Sequence, residues 1–448
     1  MVTQPPLDRE AELDALESRV REALERALGA GATAAEAHAQ LSRGLSVNVR
    51  LGEVETLEHM QDRGVSVTAL IGRRKGQASS ADLRPETIAA CVDRALDIAR
   101  YTEEDLCNGL ADPGRLAVGA RDLDLWHPSP VDAEVAIERA LACEAAGRAE
   151  PRISNSEGAA FNAGLGLSVY GNSDGFIGRS SGTSYSQSCV LLAGRGDGMQ
   201  RDYSYDSRRC LADLEAVEAT GAEAARRTVA RLGARPLRTA AMPVLFAPRV
   251  ATGLIGHLMG AISGSALIRN ASFLKGRAGE RILPEWLRVA ERPHLRRGAR
   301  SAHFDDEGVA TAERNVIDAG VLTGYVLSSY TARRLGLETT GNAGGVRNLL
   351  VSPGGDGEGD LLAGVSDGFY VTEVMGQGVN LVTGDYSRGA AGYRIVDGRL
   401  DHPVEEVTIA GNLADMFMDI VAAGEDVDTR GNIHSGGLLI RRMMVAGL

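Results

Sequence analysis

The chain has 448 residues, with 48 Lys plus Arg against 60 Asp plus Glu, for a formal net charge of −12. Its basic residues are interleaved with acids, whereas phosphate backbones are bound by clustered cations, which argues against nucleic acid as a partner. Hydrophobic and charged contents of 44% and 24% are those of a soluble globular chain, and 55 glycines with only 4% aromatics favour tight turns and Gly-bearing strands over long bundled helices.

In chain order, residues 8–28 read as an amphipathic helix, with Leu13, Leu16, Val20, Leu24 and Leu28 at helical spacing and a Gly-rich stop at Gly29–Thr33. Residues 45–80 switch to period two. They read as four short strands turning at Leu51-Gly52, Asp62-Arg63-Gly64 and Gly72–Gly76. A helix over 85–100 follows, with Pro85 near its first turn. Residues 102–130 are loop-like, 131–148 helical, 153–193 strand-like and Gly/Ser-rich, and 211–232 helical, before a boundary at Arg235-Pro236.

The apolar strand 243–248 then runs into 19 uncharged residues between Arg249 and Arg269. That length reaches the membrane-spanning threshold. His257 near the centre and four glycines favour instead a buried helix of a soluble protein, with Gly256, Gly260 and Gly264 forming one face for close packing. Further on come a hairpin over 315–329 turning at Ala319-Gly320 and a mobile acidic loop at 352–360. Several strands over 368–410 include a turn at Asp397-Gly398. A helix over 412–424 capped by Asn412 and a last strand from Leu438 complete the reading. The expected fold is α+β: an N-terminal helix/antiparallel-sheet region, then a strand-rich C-terminal domain with a buried Gly-striped helix. The expected units are 1–120, 121–235 and 236–448.

Five cysteines, an odd number with no CxxC pair and none beyond Cys210, indicate a reducing compartment. The first residues are polar and acidic, without the apolar stretch of a signal peptide, so a cytoplasmic location away from membranes is expected. No Walker A pattern is present. Gly178-Arg179-Ser180-Ser181-Gly182 matches G-x-S-x-G, but the strand, sharp turn and helix of a nucleophile elbow are missing around it. Asp305, Asp306 and Glu307 beside His303 could serve acid–base chemistry or hold a hard cation, although acids ahead of Gly308 also make an ordinary turn, the weightier reading. No two of the eight histidines stand three to five residues apart, so the helical zinc pair is absent.

Long segments carry a resemblance. VATGLIGHLMGAISG, SFLKGRAGERILPEWL, SYTARRLGLETTGNAGG and VTEVMGQGVNLVTGDYSRGAAGY, together with GEVETLEHMQDRGVSVTALIGRRKGQASSADL nearer the start, resemble the TldE (PmbA) branch of the TldD/TldE metalloprotease family, also called modulators of DNA gyrase. The resemblance implies one half of a two-subunit peptidase. In it, a TldD-like partner binds zinc through a His-Glu-x-x-x-His helix and a later cysteine.

Placed on that helix without gaps, Gly256 and Ala261 stand at the two histidine positions and His257 at the glutamate. The resemblance therefore implies no metal, no cofactor and no catalytic residue on this chain, with zinc on the partner. It implies unfolded or extended polypeptides as substrates, in proteolysis and peptide maturation. Gly376, Gly378, Gly384, Tyr386 and Arg388 are then the candidate substrate-binding segment, docking a peptide by strand addition. The competing reading is that these glycines relieve crowding where strands bend. Two alternatives stand beside it: a stand-alone hydrolase using Asp305, Asp306 and Glu307, and a peptide-binding protein without activity.

Overall fold

The computed structural model describes residues 7–355 and 357–447. The first half runs α1 (Arg9–Gly29), β1 (Ala34–Arg50), β2 (Glu53–Ile71), β3 (Arg74–Ser80), α2 (Pro85–Tyr101), α3 (Ala133–Arg148), β4 (Ile153–Asn172), β5 (Ile177–Ala193), β6 (Gln200–Arg208) and α4 (Val217–Ala230). Its strands form one antiparallel sheet in the order β3-β2-β1-β4-β5-β6, so strands from both sides of residue 120 share a sheet.

Alternation explains the layering. On β1, Ala35, Ala37, Ala39 and Leu41 are buried beneath α1 and α2, and Leu45, Val47 and Val49 beneath α3 and α4. The residues between them, Glu36, His38, Ser42 and Gly44, point to the opposite, helix-free face. Asp8 caps α1 by accepting from the Ala11 amide.

The strands differ from expectation. β1 begins at Ala34, eleven residues earlier than the period-two reading placed it, because alanines on the buried face weaken the hydropathy contrast. Asp62-Arg63-Gly64 is not a turn: the β1–β2 ladder runs through it from Ala34↔Leu70 to Arg50↔Glu53. Ladder pairing along the whole of β1 overrides a local turn propensity. The real hairpin turn is Leu51-Gly52, both left-handed at φ 54° and 84°.

The second half runs β7 (Ala240–Phe246), α5 (Pro248–Ala261), α6 (Gly264–Ile268), β8 (Val289–Glu291), β9 (Arg314–Asp318), β10 (Val321–Leu322), α7 (Ser329–Leu335), β11 (Leu349–Val351), α8 (Glu358–Ala363), β12 (Asp367–Met375), β13 (Asp385–Val396), β14 (Arg399–Asn412), α9 (Leu413–Met418), β15 (Ile420–Ala423), β16 (Ile433–His434) and β17 (Leu438–Ala446). β7, β12, β13, β14 and β17 close into a ring, because β17 pairs with both β7 and β14. A smaller sheet, β10-β9-β8-β11-β16, lies beside it, and the largest apolar core fills the space around α5.

The uncharged stretch is not one helix. It breaks at Ile262-Ser263, where Ser263 caps α6, and no helix among the described residues is long and apolar enough to cross a membrane. The face α5 buries is Ala251, Leu254, Ile255, Leu258 and Met259. Gly264 lies beyond the break, packed so closely on Thr331 that a Cβ would come within 2.4 Å of its hydroxyl. The helix expected over 412–424 ends at Met418. Ile420–Ala423 instead pairs with β17, as β-branched residues beside a strand edge favour. The acidic loop at 352–360 gives way to α8 at Glu358, and Asp356 within it lies outside the described residues.

The halves are joined by buried ion pairs. The Arg249 guanidinium, in the first turn of α5, donates to both oxygens of Asp202 on β6 at 2.8 and 2.9 Å. Arg231 reaches Glu373, and Arg430 stacks on Tyr205 while donating to its carbonyl at 3.0 Å. α7 latches the long loop after α2, with Arg333 donating to the carbonyls of Cys107 and Gly109.

Candidate functional site

α5 carries the first candidate. The His257 ring stands edge-on to Tyr386, with centroids 6.0 Å apart, and burial together with the nearby Arg388 charge holds its imidazole below the usual range. His257 is therefore neutral at pH 7. Tyr386 is buried, which pushes its phenol up to about 12. The structure thus brings together three residues singled out separately: His257 from the helix, and Tyr386 and Arg388 from β13.

Gly256 and Ala261 do not join them as ligands. A Cβ at Gly256 would meet nothing within 4 Å, and Ala261 is fully buried in the core. Zinc takes three or four N, S or O donors, and here α5 offers one imidazole, with the positive charge of Arg388 acting on it. These residues do not fit a zinc ion, and among the described residues no group of three His, Cys, Asp or Glu side chains is placed to hold a metal.

The glycines of the neighbouring segment have conformational reasons. Gly376 and Gly384 are left-handed at φ 82° and 83°. A Cβ at Gly378 would lie 1.9 Å from the Ser387 carbonyl oxygen. β13 has no free edge at this point. Tyr386 and Arg388 pair with Gly411 and Ile409 of β14, while on the other side the Ser387 amide donates to Gly378 at 2.7 Å. Strand addition, expected here, has no place at Tyr386–Arg388; what the segment offers is side chains and an exposed loop.

The carboxylates at 305–307 diverge. Asp305 is 1% exposed and accepts from the amides of Glu307, Val309 and Ala343 at 2.9–3.0 Å. Burial pushes its pKa up to about 6 despite those donors. Glu307 accepts from the Ser329 amide at 2.8 Å, and Asp306 is exposed, 3.7 Å from Arg347. His303 contacts the Val118 carbonyl. Asp305, Glu307 and His303 are each tied to a different part of the backbone and Asp306 faces solvent, the turn arrangement. Ser180 lies within β5, opposite Ser168 of β4, with strand on both sides and no nucleophile elbow.

A second place was not singled out in the sequence. The helix-free face of the first sheet and the loop at 301–306 enclose a cleft of about 980 Å³. Ser42, Ser66, Ser168, Ser180 and Ser184 line its floor together with Leu45, Met60 and Leu165, and Gly166 is open above its Cα. Glu36, accepting from the Tyr170 hydroxyl at 2.9 Å, and His38 stand at one end, and Arg209, Asp306 and Arg347 along the wall. A partial signal was present: alternate residues of β5 from Gly178 to Ser188 are Ser or Gly, with shorter runs at Gly64, Ser66 and Thr68 of β2 and Gly164, Gly166 and Ser168 of β4, a pattern that reads as weak strand sequence until both faces are seen.

Three family models match in succession: PmbA/TldA metallopeptidase domain 1 over residues 35–99, the central domain over 126–232 and the C-terminal domain over 239–447. The chain is 47% identical over 440 residues to metalloprotease PmbA of Escherichia coli O157:H7, covering 98% of this chain and 97% of that one. The chain belongs to the PmbA/TldE family. A crystal structure from Bacteroides thetaiotaomicron, described as a putative modulator of DNA gyrase, superposes with a TM-score of 0.92 at 28% identity, covering 96% of this chain and 99% of that one. TldE from Thermococcus kodakarensis superposes with a TM-score of 0.84 at 21% identity over 97% and 100% of the two chains, a likeness of fold. The PmbA/TldE fold is thus mixed α+β, with its antiparallel sheet first and its strand-rich part last.

Proposed function

We propose that this metalloprotease-family chain is the non-zinc-binding subunit of a two-subunit peptidase acting on unfolded or extended polypeptides, with zinc on a TldD-like partner. The observation that carries this reading is the state of α5: a bare backbone at Gly256, a His257 ring edge-on to Tyr386, and a core methyl at Ala261. A zinc on the partner would activate water there, and this chain would bind and shape the polypeptide. Its five free cysteines agree with a cytoplasmic setting.

The test is reconstitution. The chain alone should not cleave an unfolded polypeptide such as reduced casein. Mixed with a TldD-like subunit from the same cell, it should support chelator-sensitive cleavage, and metal analysis of the separated subunits should place zinc on the partner. Chelator-resistant cleavage by this chain alone, abolished by Asp305→Asn, would overturn the reading in favour of the hydrolase.

A further inference from the structure

The cleft over the first sheet contains a cation without an adequate partner. Arg347 is 7% exposed and lines the cleft. Its Nη2 donates to the Ala343 carbonyl at 3.2 Å, while its Nε is buried with no hydrogen-bond partner. Its nearest carboxylate, Asp306, is 3.7 Å away, beyond hydrogen-bond reach, and 69% exposed. Arg209, on the same wall, donates only to carbonyls, those of Thr183, Gly298 and Ala299, and forms no ion pair among the described residues. Buried guanidiniums are ordinarily matched by a hydrogen-bonded anion. The other acids lining the cleft do not supply one: Asp305 is taken by three amides and Glu36 by Tyr170, and Asp62 forms no hydrogen bond or ion pair with either arginine among the described residues.

The floor supplies the second half of the argument. The serine hydroxyls of this face can bind main-chain groups in many registers, and Leu45, Met60 and Leu165 among them add apolar contact along its length. Such a surface suits an extended polypeptide held at one point. We propose that the cleft is a docking site for an extended polypeptide, anchored by a carboxylate of the bound chain on Arg347 with Arg209 beside it. The inference rests on the polypeptide substrate of the preceding section but not on the partner subunit. It moves the docking site from the 376–388 segment to the first sheet.

Binding is measured on the full chain by itself, by fluorescence anisotropy. The probes are labelled, unstructured Ser/Gly/Thr peptides in three forms: ending in Glu with a free C-terminus, the same peptide amidated, and the amidated peptide with Gln for Glu. Removing the anchoring carboxylate should weaken binding roughly 10- to 100-fold, the worth of charge-assisted hydrogen bonds. The form at which the loss occurs identifies the terminal or the side-chain carboxylate as the source. Arg347→Met should weaken the carboxylate-bearing peptide by a similar factor and leave the carboxylate-free one unchanged.

Equal binding of all three peptides by the wild-type chain overturns the proposal without any variant, so a misfolded Arg347→Met leaves it testable. Displacement by inorganic phosphate, with no discrimination among the peptides, overturns it in favour of a small-anion site. Because no partner or zinc is present, failure of the two-subunit reading leaves this result standing, and the reverse holds as well.

Discussion

The Asp202–Arg249 pair fixes where α5 sits against the first sheet, and Arg249→Met tests how much depends on it. Asp202 is 3% exposed, and both its oxygens are engaged by Arg249. Removing one member of such a pair leaves a buried charge and costs about 3–5 kcal/mol. Arg231 remains 3.7 Å from one Asp202 oxygen, which places the expected loss at the lower end, about 3 kcal/mol.

Urea unfolding followed by tryptophan fluorescence reads both halves, since Trp126 packs against the first core and Trp286 lies in the second half. The double variant Asp202→Asn/Arg249→Met, which removes both charges, should regain most of the loss. The pH dependence has a definite sign. Burial alone would raise the Asp202 pKa, but the Arg249 hydrogen bonds and charge outweigh it and hold it below the ordinary value. The pair's contribution is therefore present above about pH 4 and fades as the pH falls through the folded pKa. An Arg249→Met variant within about 0.5 kcal/mol of wild type at pH 7, well short of that range, would refute the reasoning, as would a double variant no more stable than the single one.

Asp305 titrates in the opposite sense. With a folded pKa near 6 and an unfolded one near 4, its contribution is fully present below pH 4 and lost as the pH rises through 6. Wild type should thus lose up to about 3 kcal/mol relative to Asp305→Asn between pH 4 and 7, measured by urea unfolding at both pH values. Gly378→Ala, whose methyl would meet the Ser387 carbonyl, should cost about 1–3 kcal/mol in thermal unfolding, whereas Gly166→Ala, opening onto space, should stay within about 0.5–1 kcal/mol of wild type. A fluorophosphonate probe should leave Ser180 unlabelled, as checked by peptide mass spectrometry, because it lies within a regular strand and forms no hydrogen bond with a general base among the described residues.

Much of the α+β order was legible in the residues. α1 and α2 followed from their apolar spacing, and the turns at Ala319-Gly320 and Asp397-Gly398 from dipeptides that adopt left-handed conformations, φ 48° and 75° in one and 46° and 75° in the other. Strand length was less legible. β1 and β2 are extended by each other's ladder, a long-range effect that the Asp62-Arg63-Gly64 signal cannot register. The α5–α6 break was hidden because Ile262-Ser263 carries no Pro, and the serine acts as a cap only once the chain has turned. That Gly256, His257 and Ala261 depart from a His-Glu-x-x-x-His pattern was readable from the residues themselves. Tyr386 and Arg388 were chosen for another reason, and only the fold shows that they face His257. The cleft escaped notice because its wall residues, Arg209, Asp306 and Arg347, come from stretches far apart in the chain.

The closed ring in the second half governs the order of assembly. β7 hydrogen-bonds on one side to β12 and on the other to β17, where Leu438 meets Phe246. Both neighbours lie far downstream, so a nascent chain leaves the ribosome with β7 unpaired and α5 without the floor on which it rests. Pairings of such long range form slowly and expose apolar surface while they wait. In the first sheet β1 also waits, for β4, but all its strands are available once β6 has emerged, well before β12 and β17. Synthesis therefore passes through a state in which the sheet and its polar face are native while the α5 region is not, and that late region is the one to which a nascent-chain chaperone would be drawn.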